Sequence, residues 1–242
     1  MLICNWRYLP LLKRFFQPDA YFRSLADIDF NFLYEQGYRL VLLDMDNTLI
    51  RDGHRERTAF SDLQINRMLD AGFKCLILSN GPAERVKPFA DLHHLDFIAD
   101  SGKPSRRGVH LACQKFSLSP KETLLIGDQI FTDVLCGRRS GVLTLLVAPL
   151  ATGEKWYIRI KRIFELPFIS SLKMNKGLPS SGRKIFANWL ARRRFKNLRR
   201  FLPRRRLRTL PHRKNIFSRL LKRRHYHFFN LKKPSDYHIS NG

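Results

Sequence analysis

Five short apolar runs separated by stretches at helical spacing constrain this chain more than any other feature. Arg39–Asp44 (RLVLLD), Phe73–Leu78, Asp96–Ala99, Thr123–Ile126 and Val142–Val147 read as strands too apolar to face water on either side. Between them, Ser61–Ala71 carries Leu63, Ile65, Met68 and Leu69 near helical spacing, opens on the cap residue Ser61 and stops at Gly72. Pro82–Leu92, with proline in its first turn, Arg106–Phe116 and Thr132–Arg139 read as further helices. Strand–helix alternation of this kind implies right-handed crossovers and a doubly wound, Rossmann-like α/β fold with a parallel sheet of about five strands. Loops at the carboxyl ends of those strands then converge on one crevice.

Charge divides the chain at about residue 150. Residues 1–150 carry 19 Lys and Arg against 17 Asp and Glu, whereas residues 151–242 carry 26 against 3. Three segments follow: an N-terminal helical cover over 1–38, an α/β domain over 39–150 and a basic amphipathic tail over 151–242. No apolar run reaches the ~18 residues of a membrane-spanning helix, and MLICNWRYLPLLKRFF is a poor secretory signal. Cysteines 4, 75, 113 and 136 form no CxxC pair, which suits buried thiols in a reducing, cytoplasmic compartment. His93-His94 has no HExxH-type partner and reads as a solvated helix end, and His54 lies in a loop.

Three strand-end loops carry the chemistry. Asp44-Met45-Asp46-Asn47-Thr48 places two carboxylates in one small volume, where they repel unless a cation or proton compensates. Ser79-Asn80 offers a hydroxyl, an amide and backbone N–H groups suited to a phosphate. Gly127-Asp128 followed by Asp133 brings two more acids, and Lys103 in Ser-Gly-Lys-Pro supplies a cation. Each signal alone is ordinary turn chemistry. Their fixed order after successive strands is specific.

In that order the residues resemble the four motifs of the haloacid dehalogenase (HAD) phosphatases: Asp44-x-Asp46-x-Thr48, Ser79, Lys103, and Gly127-Asp128…Asp133. The resemblance implies that Asp44 attacks phosphorus to form an aspartyl-phosphate, and that Asp46 acts as general acid and then base. It implies Ser79 and Lys103 on the phosphoryl oxygens, Thr48 and Asn80 at the substrate or its loop, and Mg2+ near Asp44, the Asp46 carbonyl, Asp128 and Asp133. For Asp133, ligation through water and orientation of Lys103 both remain open.

Neither the 35 residues from Asp44 to Ser79 nor the 24 from Ser79 to Lys103 hold a folded cap. An open, capless site suits a large or surface-bound phosphate ester. The chain is more closely similar to the capless IIIA subclass, of YqeG type, and to the related phosphatidylglycerophosphate phosphatases. The matching segments are Pro18-Asp19-Ala20-Tyr21, Asp27-Ile28-Asp29, LLDMDNTLI, SN, SGKP and GDQIFTDV, with Cys136 and Arg138 as departures. That similarity implies dephosphorylation of phosphatidylglycerophosphate; a soluble nucleotide, sugar phosphate or phosphoprotein is the alternative substrate.

Over 183–229, Ile185, Phe186, Trp189, Leu190, Leu198, Phe201 and Leu202 recur near i, i+4 spacing among arginines and lysines. Such a helical or disordered tail can place the protein peripherally on the anionic inner face of a membrane. RNA or a ribosome is the competing polyanion, although no RNP, KH or zinc-finger signature accompanies the charge.

Overall fold

The computed structural model describes residues 15–54, 56–150, 160, 163–165, 168–169 and 174–175. Seven parallel strands form one sheet: β1 (Ala20–Phe22), β2 (Leu40–Leu43), β3 (Lys74–Leu78), β4 (Asp96–Ile98), β5 (Thr123–Gly127), β6 (Leu143–Val147) and β7 (Met174–Asn175). Their order is β4-β3-β2-β5-β6-β1-β7. The helices are α1 (Phe30–Glu35), α2 (Ala59–Asp70), α3 (Ala83–Leu92), α4 (Arg107–Lys115) and α5 (Leu135–Ser140).

The five apolar runs are the five central strands. Every residue of β2, β5 and β6 is buried, as expected where helices cover both faces of a parallel sheet. On one face Leu40, Leu42, Leu76, Leu78 and Leu125 pack against Val109, Ala112 and Cys113 of α4 and against Cys136 of α5. Right-handed crossovers put α2 and α3 on the other face. Helix α2 begins three residues earlier than Ser61 marks it. Thr58 is the cap, and Ser61 is its capping-box partner at 3.0 Å. Ile65 and Met68 are buried, whereas Leu63 and Leu69 are exposed.

Sheet order reverses between β2 and β5, because β3 and β4 lie to one side of that pair and β6 to the other. The crevice expected of such a switch point therefore lies beyond the carboxyl ends of β2 and β5. Asp44 follows one of these strands and Asp128 the other.

The N-terminal segment is more than a helical cover. Ala20–Phe22 pairs with β6, with Ala20 opposite Leu145, and three residues are too short to show alternation. Asp19 locks this register: Oδ2 accepts from Thr144 N at 2.9 Å and Oδ1 from Arg138 at 2.7 Å. Arg138, a departure from the family pattern, is thus a partner of the Pro-Asp-Ala-Tyr segment. Asp27 and Asp29 are structural caps, of the turn Leu25–Asp27 and of α1 respectively.

The fold also continues past residue 150. The chain divides into two units, Met1–Lys184 and Ile185–Gly242, and the described residues all belong to the first. Strand β7 pairs with β1. Phe168 and Ile169 pack with Phe16, Tyr21 and Phe131 around Ile130, Val134 and Leu146. Glu165, 1% exposed, accepts from Phe131 N at 3.0 Å. The change in charge at 150 falls within the first of these two units. The amphipathic pattern over 183–229 lies outside the described residues.

Candidate active site

The end of β2 delivers Asp44 to the crevice, its N–H donating to Ile126 O at 2.9 Å, so the strand pairing extends to this residue. Lys103 arrives from the loop after β4. Its ammonium donates to Asp44 Oδ1 at 2.6 Å and to Asp133 Oδ1 at 2.8 Å, and all three side chains are buried. Asp133 sits on a single π-helical turn, Ile130–Val134, where its Oδ2 accepts from Gln129 N at 3.1 Å. Of the two roles left open by the sequence, this contact is consistent with orientation of Lys103.

Burial and the nearby Asp133 push the Asp44 carboxyl up to about 7, against the pull of Lys103. Burial alone would depress the Lys103 ammonium, but Asp133 and Asp44 outweigh it and hold it well above the ordinary lysine range. Asp44, Asp128 and Asp133 each present a carboxylate oxygen within 4.8 Å of the others. Asp44 and Asp133 share one ammonium, and the oxygens of all three buried carboxylates are the hard donors that a small divalent cation takes. The donor set fits such an ion.

Asp46 does not contribute its side chain to this cluster. Its carboxylate lies toward the rim, where Arg85 Nη1 donates to Oδ2 at 2.8 Å and Nη2 donates to Oδ1. Burial raises the Asp46 carboxyl above its usual range, with Arg85 pulling the other way. Of the expected metal set, only the Asp46 carbonyl is left to serve from this position.

Ser79, 1% exposed, accepts from Gly81 N at 3.0 Å, and a hydroxyl that accepts one bond can still donate another. Asn80 braces the lysine loop. Its Nδ2 donates to Lys103 O at 2.8 Å, while Oδ1 accepts from Lys103 N at 2.7 Å and Ser101 Oγ at 2.8 Å. Both ends of the amide hold the lysine loop. Thr48 Oγ1 is buried without a hydrogen-bond partner among the described residues, consistent with a ligand contact.

Gly127 is required by close approach. A Cβ there would lie 2.3 Å from Asp133 Cγ. Gly127→Ala should therefore push Asp133 off Lys103. Turnover is expected to fall by roughly 10²-fold through misplacement, with a loss of about 1–3 kcal/mol in denaturant unfolding.

Burial pushes Cys75 up to about 12 and Cys136 to about 11, so both are inert thiols. His93 is buried rather than solvated, its ring 4.6 Å from that of Phe89 and its Nδ1 3.4 Å from Asp62. His54 is exposed. Arg85 and Asp52, 3.6 Å apart, are the two site residues that the sequence alone left unmarked.

Comparison with known proteins bears on the same residues. A HAD-hydrolase-like family model matches residues 101–158, the stretch holding Lys103, Asp128 and Asp133. The probable phosphatase YqeG of Bacillus subtilis (strain 168) is 32% identical over 163 residues, 67% of this chain and 95% of that protein. The chain belongs to the YqeG-type HAD phosphatases. It is a phosphatase, and the lysine between two aspartates lies within the matched stretch of this YqeG-type member. The chloroplastic/mitochondrial phosphatidylglycerophosphate phosphatase 1 of Arabidopsis thaliana is 27% identical over 177 residues, 69% of this chain and half the length of that protein. Among solved structures, a cobalt-bound deoxy-D-mannose-octulosonate 8-phosphate phosphatase from Haemophilus influenzae covers 58% of this chain and 93% of its own. Its identity is 15% and its TM-score 0.36.

Proposed function

We propose that this YqeG-type phosphatase is a Mg2+-dependent phosphomonoesterase that converts phosphatidylglycerophosphate to phosphatidylglycerol at a membrane surface. The observation that carries the reaction is Lys103 held between Asp44 and Asp133 beside Asp128. The substrate reading draws on the similarity to the plant phosphatidylglycerophosphate phosphatase and on a crevice with no inserted cap.

Lys103 fixes Asp44 Oδ1 and orients the carboxylate for attack on phosphorus. As the O–P bond to Asp44 forms, the ester P–O bond breaks, and Asp46 gives its proton to the departing alcohol. Asp46, now a carboxylate, takes a proton from the water that attacks the aspartyl-phosphate, which releases phosphate and restores Asp44. Ser79 donates to a phosphoryl oxygen, Thr48 is placed to do the same, and Lys103 offsets the gathering negative charge. A divalent cation held by Asp44, Asp128, Asp133 and the Asp46 carbonyl would neutralise the charge between a phosphate dianion and its carboxylate nucleophile.

Membrane attachment is assigned to the basic residues beyond Lys184, where 18 of the 45 Lys and Arg reside. Among the described residues no helix is long and apolar enough to cross a membrane. The test compares the full chain with one ending at Lys184, since a cut near residue 150 would remove β7 and the Glu165 contact. Phosphate release is measured from vesicles containing phosphatidylglycerophosphate and from glycerol 3-phosphate. The shortened chain should keep soluble turnover and lose about tenfold or more on vesicles, at about 1 kcal/mol per basic residue near the surface. Added salt should weaken vesicle turnover of the full chain. Equal vesicle turnover by both chains would defeat the membrane reading, and co-purifying RNA lost with the tail would favour the nucleic-acid partner.

A further inference from the structure

The rim of the site holds a cation that the reaction as described does not use. Arg85, in the first turn of α3, grips both oxygens of Asp46, and its Nη2 also lies 3.6 Å from Asp52 Oδ1. Asp52 is itself held: its N–H donates to Asn47 Oδ1 at 3.2 Å, and Asn47 sits at φ 55, a conformation asparagine tolerates. These three side chains are 15%, 20% and 9% exposed, against 2% for Lys103 on the floor. Arg85 and Asp46 are thus more exposed than the Lys103 side chain.

To deliver a proton, Asp46 must turn one oxygen toward the departing alcohol, and that oxygen leaves the guanidinium. The N–H it abandons is mostly buried, and an unmet charged donor there is costly. Asp52 keeps Arg85 in place but occupies one side of it. An acceptor carried by the substrate, on the leaving-group side of the phosphoryl, would meet the vacated N–H.

We propose that Arg85 is a specificity-determining residue that selects phosphomonoesters whose leaving alcohol carries a second anionic group, a phosphodiester in particular. The vacated N–H can donate to one non-bridging oxygen of a phosphodiester, a charge-assisted bond stronger than one to a neutral acceptor. A neutral alcohol with no acceptor there leaves that N–H unmet. The inference rests on the phosphatase reading above and deepens it, because the glycerol released from phosphatidylglycerophosphate carries a phosphodiester.

The test uses the full chain with two soluble esters, glycerol 3-phosphate and glycerophosphoglycerol phosphate. Wild type should favour the diester-bearing ester in kcat/KM by about tenfold or more, the scale of one charge-assisted hydrogen bond. Arg85→Gln should lower kcat on both esters, since Asp46 loses its grip. Its KM should rise about tenfold on the diester-bearing ester and by less than about threefold on glycerol 3-phosphate. Arg85→Lys, which keeps the charge without the fork, should lie between. An equal loss of kcat/KM on both esters in Arg85→Gln would reduce Arg85 to a brace and overturn the proposal. So would a wild type without preference, a comparison that needs no variant to fold. Turnover of both esters without preference leaves the phosphatase reading standing, whereas turnover of neither overturns both.

Discussion

Asp44→Asn is expected to lower turnover by roughly 10⁴-fold or more while the protein remains folded. The amide keeps the shape of the carboxylate, and its oxygen can still accept from Lys103, now 2.6 Å from Asp44 Oδ1. What it loses is the negative charge that attacks phosphorus. Stability should suffer little, because burial and Asp133 already disfavour the ionised form of Asp44. Removing that charge relieves a crowded trio, so the metal-free variant should unfold at a temperature equal to or above that of wild type. Acid-quenched enzyme should carry labelled phosphate in wild type and none in the variant. Near-normal activity would sink the covalent mechanism.

Lys103→Met is expected to produce the second large effect, on activity and stability together. Methionine fills much of the lysine volume but leaves Asp44, Asp128 and Asp133 facing one another without an ammonium. Removing one partner from a buried ion cluster costs about 3–5 kcal/mol. Turnover should fall by roughly 10²–10³-fold, the scale of one lost electrostatic contact to the transition state. Added Mg2+ should raise the unfolding temperature of the variant more than that of wild type, since the cluster has gained net negative charge and ligand binding adds directly to stability. Identical unfolding of the two metal-free proteins would show that Lys103 does not hold the carboxylates together.

How much of this could be read from the residues depended on local pattern. The central strands were legible because parallel strands covered on both faces are continuous apolar runs, as Leu40–Leu43 and Leu143–Val147 are. Strands β1 and β7, of three and two residues, are too short to carry a period. The floor of the site was legible for a different reason: Asp44, Lys103, Asp128 and Asp133 each follow a strand, and the topology gathers strand ends. The rim was not. Arg85 and Asp46 are 39 positions apart, and nothing in either local sequence names the other. Asn80 shows a related limit, since an amide beside a serine suits a ligand and a loop equally well until its partners are seen. At the C-terminal end, charge counts saw the excess of lysine and arginine but not Glu165, whose burial ties that region to the Asp133 loop.

The place of β1 in the sheet has a consequence for how the chain acquires its structure. Ala20–Phe22 docks between Leu145–Val147, about half the chain later, and Met174–Asn175, later still. The pairs β2–β3 and β3–β4, by contrast, join neighbours in sequence. Loop-closure entropy favours the near pairings first. During synthesis the N-terminal segment must wait, unpaired and rich in aromatics, until β6 has emerged. Refolding should therefore show an early phase that protects β2, β3 and β4, followed by a slower one that protects β1, with the Asp19–Arg138 ion pair as the mark of its completion.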